Sequence, residues 1–226
     1  LKYNEDVNDF DVAKELSAIY EQMEDWAMAQ QMYEWAYTLS AGDAALKMKV
    51  NNMKDRAGEE EIRSLEARVS ENPDDEEAHA ALEEFQQTRA VAQVKERRKR
   101  VEQNPTDPQL RYDLGQALYH AGEYSDAIPH LQQATRNPHI RTRVLLLLGR
   151  TFDAKGMRDM AIKQLSDANA ELTVMDKIKK EVLYELGLIH EKVESKDEAL
   201  DCFKQIYEVD YGYRDVAQRV ESSYAG

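Results

Sequence analysis

The chain has 226 residues, with 44 Asp and Glu against 30 Lys and Arg; a formal charge of −14 and a pI near 4.9 give no basic balance for a phosphate-binding face, so nucleic acid is not an expected partner. Its single cysteine, Cys202, cannot close an internal disulfide, and its longest apolar run, residues 144–148, falls far short of the roughly 20 residues that cross a bilayer. No membrane insertion of this segment is expected, a cytoplasmic location is, and the start at Leu1 rather than Met suggests a piece of a longer or processed protein.

In chain order, residues 1–9 are polar and aperiodic and serve as a lead-in. Residues 10–43 carry a helix with Leu16 and Tyr20, a turn, and a second helix with Ala29, Tyr33 and Ala36, closed by Gly42 with Asp43 as the next N-cap. Trp26 stands just past the turn, where Tyr124 stands later, and packing between helices is the expected role of a repeating aromatic position.

Residues 44–107 have two readings. The pairs Asn72-Pro73 and Asn104-Pro105 divide them into two degenerate helix-turn-helix repeats of 32 residues, with charges where small residues are expected. Alternatively they form one long antiparallel helical hairpin, and this reading is favoured. Leu46, Val50, Met53 and Ala57, then Ile62, Leu65 and Val69, mark a stripe on the first helix, and Leu82, Phe85, Val91, Val94 and Val101 mark the second. A narrow apolar stripe on a charged helix suits a coiled-coil-like seam, and Gly58 weakens the first helix by only about 1 kcal/mol. Residues 95–100, KERRKR, could be a localisation or nucleic-acid patch, but a solvated face is the expected role beside so many glutamates.

From residue 108 the pattern is regular. Asp107 caps a helix with Pro108 at its first position; Leu110, Leu114 and Leu118 recur at i, i+4, i+8; Gly122-Glu123 turns the chain; and Ala127, Leu131 and Ala134 mark the second helix. The pair Leu114-Gly115 returns 34 residues on at Leu148-Gly149 and again, after 38, at Leu186-Gly187, so one helical turn is added near residues 173–177 and Asp176 caps a longer helix. A fixed period of about 34 residues in helix-turn-helix units signals a repeat array. A last helix over residues 214–224, with Val216 and Val220 inward, is expected to cap the open end.

These units resemble the tetratricopeptide repeat family, whose motif runs large, Leu-Gly, aromatic or large, then Ala, large, Ala. Four units, beginning near Phe10, Pro108, Thr142 and Lys180, carry the resemblance over about two thirds of the chain. It implies an all-α solenoid of helical hairpins in a right-handed superhelix, divided into residues 1–43 (lead-in and first repeat), 44–107, 108–213 (three repeats) and 214–226 (cap). Small residues such as Gly115 and Ala127 should let the helices of one repeat approach, with Leu114 and Leu131 filling the space between repeats.

The resemblance also implies a non-enzymatic protein-protein interaction scaffold that takes a peptide or partner protein in a groove lined by first helices. The positions not used for packing are Gln109, Tyr112, Gln116 and Tyr119, then Arg143, Leu147 and Arg150, then Tyr184, Leu188 and Glu191. Their expected occupant is a helical or extended peptide with apolar anchors and an acidic residue for Arg143 or Arg150. The basic clamp that some family members use on a terminal carboxylate maps onto Tyr112, Gln116, Leu147, Glu181 and Glu185, two of them reversed in sign, so a carboxylate-tail adaptor is not expected. Second readings are a self-association module built on the charged hairpin, with a homo-oligomer, or the interaction part of a larger protein whose activity lies outside this segment. Phosphate loops, nucleophile elbows and metal spacings are missing, and the five histidines are scattered, so no catalytic residue, metal or cofactor is expected.

Overall fold

A computed structural model describes residues 9–224; residues 1–8 of the expected lead-in over 1–9, and residues 225–226 of the cap, lie outside them. The described residues form eleven α-helices and no strand. They divide into two compact units with the boundary between Arg89 and Ala90.

In the first unit, α1 (Phe10–Gln22) and α2 (Trp26–Leu39) start on Asp9 and Asp25, whose carboxylates accept from Val12 N and Met28 N, each at 3.0 Å. Their core is Ala13, Trp26, Ala29, Tyr33 and Ala36, joined by Leu46 and Met53 of α3 (Ala44–Glu71). Leu16 is only half-buried. The close-packed position next to it belongs to Ser17, fully buried, whose hydroxyl donates back to the Ala13 carbonyl at 2.7 Å. Trp26 packs as expected, its ring covered by the Arg56 guanidinium at 4.5 Å.

Asp43 accepts from Ala45 N and Leu46 N, and α3 then runs unbroken through Gly58 to Glu71. After a four-residue turn α4 (Glu76–Gln103) begins, and its part within this unit runs back along α3: Arg89 Nη2 donates to the Asp55 carbonyl at 2.9 Å and its side chain lies over Gly58. Each of these helices is 28 residues long and neither is interrupted by a turn.

In the second unit, three helical pairs follow: α5 (Pro108–His120) with α6 (Tyr124–Ala134), α7 (Arg141–Ala154) with α8 (Arg158–Glu171), and α9 (Lys177–Lys192) with α10 (Lys196–Tyr207). α11 (Val216–Tyr224) lies on α10 and buries Val216 and Val220. Asp107 and Asp176 cap α5 and α9 through Gln109 N, Leu110 N and Lys179 N. The reason for glycine at the crossings is steric: a Cβ on Gly115 would stand 2.6 Å from Leu131, on Gly149 2.6 Å from Leu165, and on Gly187 2.7 Å from Phe203. Leu131 therefore fills space within its own repeat rather than between repeats.

The hairpin turns share one geometry. The backbone N–H of Asp25, Glu123, Met157 and Ser195 each closes onto a carbonyl five residues back, the Schellman bond of a helix ending on a left-handed residue. That residue is Gly122 (φ 76°) and Gly156 (φ 75°) in two turns, but Glu24 (φ 58°) and Glu194 (φ 62°) in the other two.

Candidate functional site

The first helices of the second unit stand side by side, α5 against α7 and α7 against α9. Their common face gathers side chains from all three. Around Tyr112 of α5 lie the charges of Arg143 and Arg150 of α7 and of Glu181 of α9; around Tyr119 lie Arg150, Glu185 and Asp153. Both tyrosines are half-buried, and burial raises the pKa of each, with Arg150 opposing the shift. The ring of Tyr119 is held against Tyr124 at 5.6 Å and His120 at 5.4 Å, which fixes its orientation at little rotamer cost.

Of the expected groove residues, four play different parts. Leu147 is 7% exposed and Tyr184 8%: both belong to the core, because α7 is covered by helices on both sides and the Tyr184 ring of α9 edges onto Phe203 and Tyr213. The Tyr184 hydroxyl donates to Asp215 Oδ1 at 2.7 Å; burial and that bond raise its pKa. Arg150 is no free cation. Its Nη2 donates to Glu181 Oε1 and Glu185 Oε1, both at 2.7 Å, and its Nε to Glu185 at 3.1 Å. Burial works against its charge, yet the two carboxylates more than offset this and its pKa is raised. Glu191 is taken by Arg219 of α11.

The rest stay available. Gln109 and Arg143 are exposed; Gln116 and Leu188 are half-buried, Leu188 resting on the core; and Arg143 has no ion pair among the described residues. Gln109 spends one amide N–H on Asp113 at 2.7 Å.

Two residues on this face were not legible from the repeats. Arg214, left-handed at φ 49°, lays its guanidinium over the rings of Tyr184 at 4.4 Å and Tyr213 at 5.3 Å, and comes within 3.9 Å of Glu181 and 4.0 Å of Glu185. Tyr213 closes the stretch assigned to the last repeat, and Arg214, expected to open the last helix, lies instead with it in the turn before α11, which starts at Val216. The acid pair Glu181 and Glu185, one helical turn apart, is thus neutralised from both sides. Among the described residues, no group of three or more His, Cys, Asp or Glu is placed to hold a metal ion, and no helix is long and apolar enough to cross a membrane.

Comparison with known proteins agrees with this architecture. The tetratricopeptide repeat family matches residues 87–139 and 180–213. Among solved structures, the chain is similar to MamA from AMB-1 (17% identity, 89% of this chain and 99% of that one, TM-score 0.52). It is also similar to TTC0263, a thermophilic TPR protein in Thermus thermophilus (18%, 96% and 100%, TM-score 0.50). A third is YrrB, described as a TPR protein with an unusual peptide-binding site (15%, 97% and 95%, TM-score 0.50). At such identities the likeness speaks for the fold. No curated protein matches in sequence. The chain thus carries tetratricopeptide repeats over those two stretches, on the all-α repeat fold of such proteins, and repeats of this class serve protein-protein interaction.

Proposed function

We propose that the face shared by α5, α7 and α9 holds a peptide or a segment of a partner protein. The observation that carries this reading is the convergence of Tyr112 and Tyr119, both half-buried and Tyr119 fixed in orientation by its ring contacts, with Arg143, which has no ion pair among the described residues, and the half-buried Leu188 on three consecutive first helices. Rigid aromatic rings and arginine supply most of the binding energy at such surfaces. With Arg150 spent on Glu181 and Glu185, Arg143, without an ion pair among the described residues, can meet an acidic residue of the ligand, and the tyrosines take its apolar anchors. The peptide-binding site named for YrrB supports the same use of a related fold.

Peptides selected against the chain from a displayed library test this. Tyr112→Ala with Tyr119→Ala should cost about 2 kcal/mol or more of binding while leaving helicity intact. Selected peptides that bind the folded double variant as well as the parent would move the site elsewhere.

A further inference from the structure

The basic run at residues 95–100 is divided by its helical phase. Arg97 Nη1 donates to the Asp113 carbonyl at 2.8 Å, and Arg100 pairs with Glu96 at 2.7 Å. Lys95, Arg98 and Lys99 have no ion pair among the described residues; they line one cleft of about 490 Å³ whose apolar part is Val91 and Val94 of the same helix. Val94 is buried against the core of the second unit, whereas Val91 is 53% exposed. An apolar patch beside three unpaired cations at i, i+3 and i+4 is a local inversion of a surface whose net charge is −14.

Two further lining residues decide what class of anion fits. Glu102 and Glu123 also border the cleft. A nucleic-acid strand carries a charge at every step and would bring phosphates against both carboxylates. A protein segment can place its carboxylates opposite the cations alone and offer an apolar side chain to Val91. We infer that this cleft is a second docking site, separate from the α5–α7–α9 face, for an acidic amphipathic segment of a partner protein: an apolar anchor seats on Val91 and Val94, and carboxylates on the same face meet Lys95, Arg98 and Lys99. At physiological ionic strength screening over about 8 Å confines the repulsion from the rest of the chain, while contacts inside the cleft persist.

The test uses fluorescence anisotropy with a labelled, blocked Leu/Glu/Ala peptide of about 18 residues, five helical turns, that places Leu and Glu along one face. A scrambled peptide of the same composition and a labelled oligouridylate serve as comparisons. The amphipathic peptide should bind the parent chain; the triple variant Lys95→Gln, Arg98→Gln, Lys99→Gln and, separately, Val91→Asp should each weaken it by about tenfold or more, as should scrambling. Removing the same charge elsewhere, by Arg136→Gln, Lys163→Gln and Lys177→Gln, should change it by less than about twofold, and so should Tyr112→Ala with Tyr119→Ala. Equal losses in the two triple variants would reduce the effect to net charge and overturn the proposal. So would failure of the amphipathic peptide to bind at millimolar concentration. Tighter binding of oligouridylate with the same residue dependence would make the cleft a nucleic-acid site instead.

Discussion

The crossing of α7 and α8 allows a mutation whose effect should change sign with its surroundings. The three atoms nearest to a Cβ built on Gly149 all belong to Leu165: Cγ at 2.6 Å, Cδ2 at 2.8 Å and Cδ1 at 3.2 Å. Leu165 is wholly buried, and in a close-packed interior a side chain moves aside only by displacing its neighbours. Gly149→Ala should therefore overpack the crossing by about 2 kcal/mol. Helix propensity returns about 1 kcal/mol, since alanine is the better helix former, leaving a net loss of about 1 kcal/mol. Leu165→Ala alone opens a cavity and should cost about 3 kcal/mol. It also deletes Cγ, Cδ1 and Cδ2, so in that background Gly149→Ala meets no obstacle and should stabilise by about 1 kcal/mol. The double-mutant cycle then closes with a coupling of about 2 kcal/mol. Urea denaturation followed by far-UV circular dichroism on the four proteins measures it. The same sign for Gly149→Ala in both backgrounds would refute the claim that glycine stands there for room rather than for backbone freedom.

The hairpin turns predict opposite outcomes at equivalent places: Glu194→Gly should stabilise by about 1 kcal/mol by relieving a left-handed side-chain residue, whereas Gly156→Ala should destabilise by about the same, both read from thermal or urea midpoints. Burial, reinforced by Asp201 and Glu198, pushes the Cys202 thiol up to about 11. A raised folded value means its neutral form stabilises the fold fully below the unfolded thiol value of about 8.5, and the contribution is lost as pH climbs toward 11. Stability measured through that window should fall more steeply in the parent than in Cys202→Ala, and native Cys202 should resist alkylation at mildly alkaline pH until urea unfolds the chain; rapid native labelling would contradict its burial.

How much of this was legible in the sequence depends on distance along the chain. Caps are local: Asp43, Asp107 and Asp176 each accept from N–H groups within three residues, and each was readable from its helix start. The Leu-Gly pairs gave the period, because the glycine answers to a large residue in the next helix of the same repeat. The same facts hid what the glycine faces: Leu131 lies over Gly115, a pairing that periodicity alone leaves open. The two left-handed glutamates were invisible for a related reason. Glycine marks such a turn, but the Schellman bonds and the packing of both helices impose it on Glu24 and Glu194 regardless. The candidate face suffered most. Arg150 meets Glu181 and Glu185 across 31 and 35 residues, and Tyr184 meets Asp215 across 31. A helix pattern shows which side chains its own core leaves over; it does not show which of them the next helix claims.

That distinction separates the two proposed surfaces physically. On the α5–α7–α9 face, the ionic groups Arg150, Glu181, Glu185 and Arg214 are matched among themselves, which leaves aromatic area and Arg143 to meet a ligand. A partner held mainly by desolvated tyrosine gains little from long-range attraction, so its affinity should vary weakly with salt. On α4 the balance is reversed: Lys95, Arg98 and Lys99 have no ion pair among the described residues, and Val91 and Val94 offer a small apolar contact. Pairs formed there at partly exposed positions are screened, so affinity should fall steeply as salt rises. Titrating salt against a library-selected peptide and the acidic amphipathic peptide, in one buffer series, compares the two. Parallel losses would mean that the tyrosine face also works through charge, and Arg143→Ala would then have to reproduce most of the effect of removing both tyrosines.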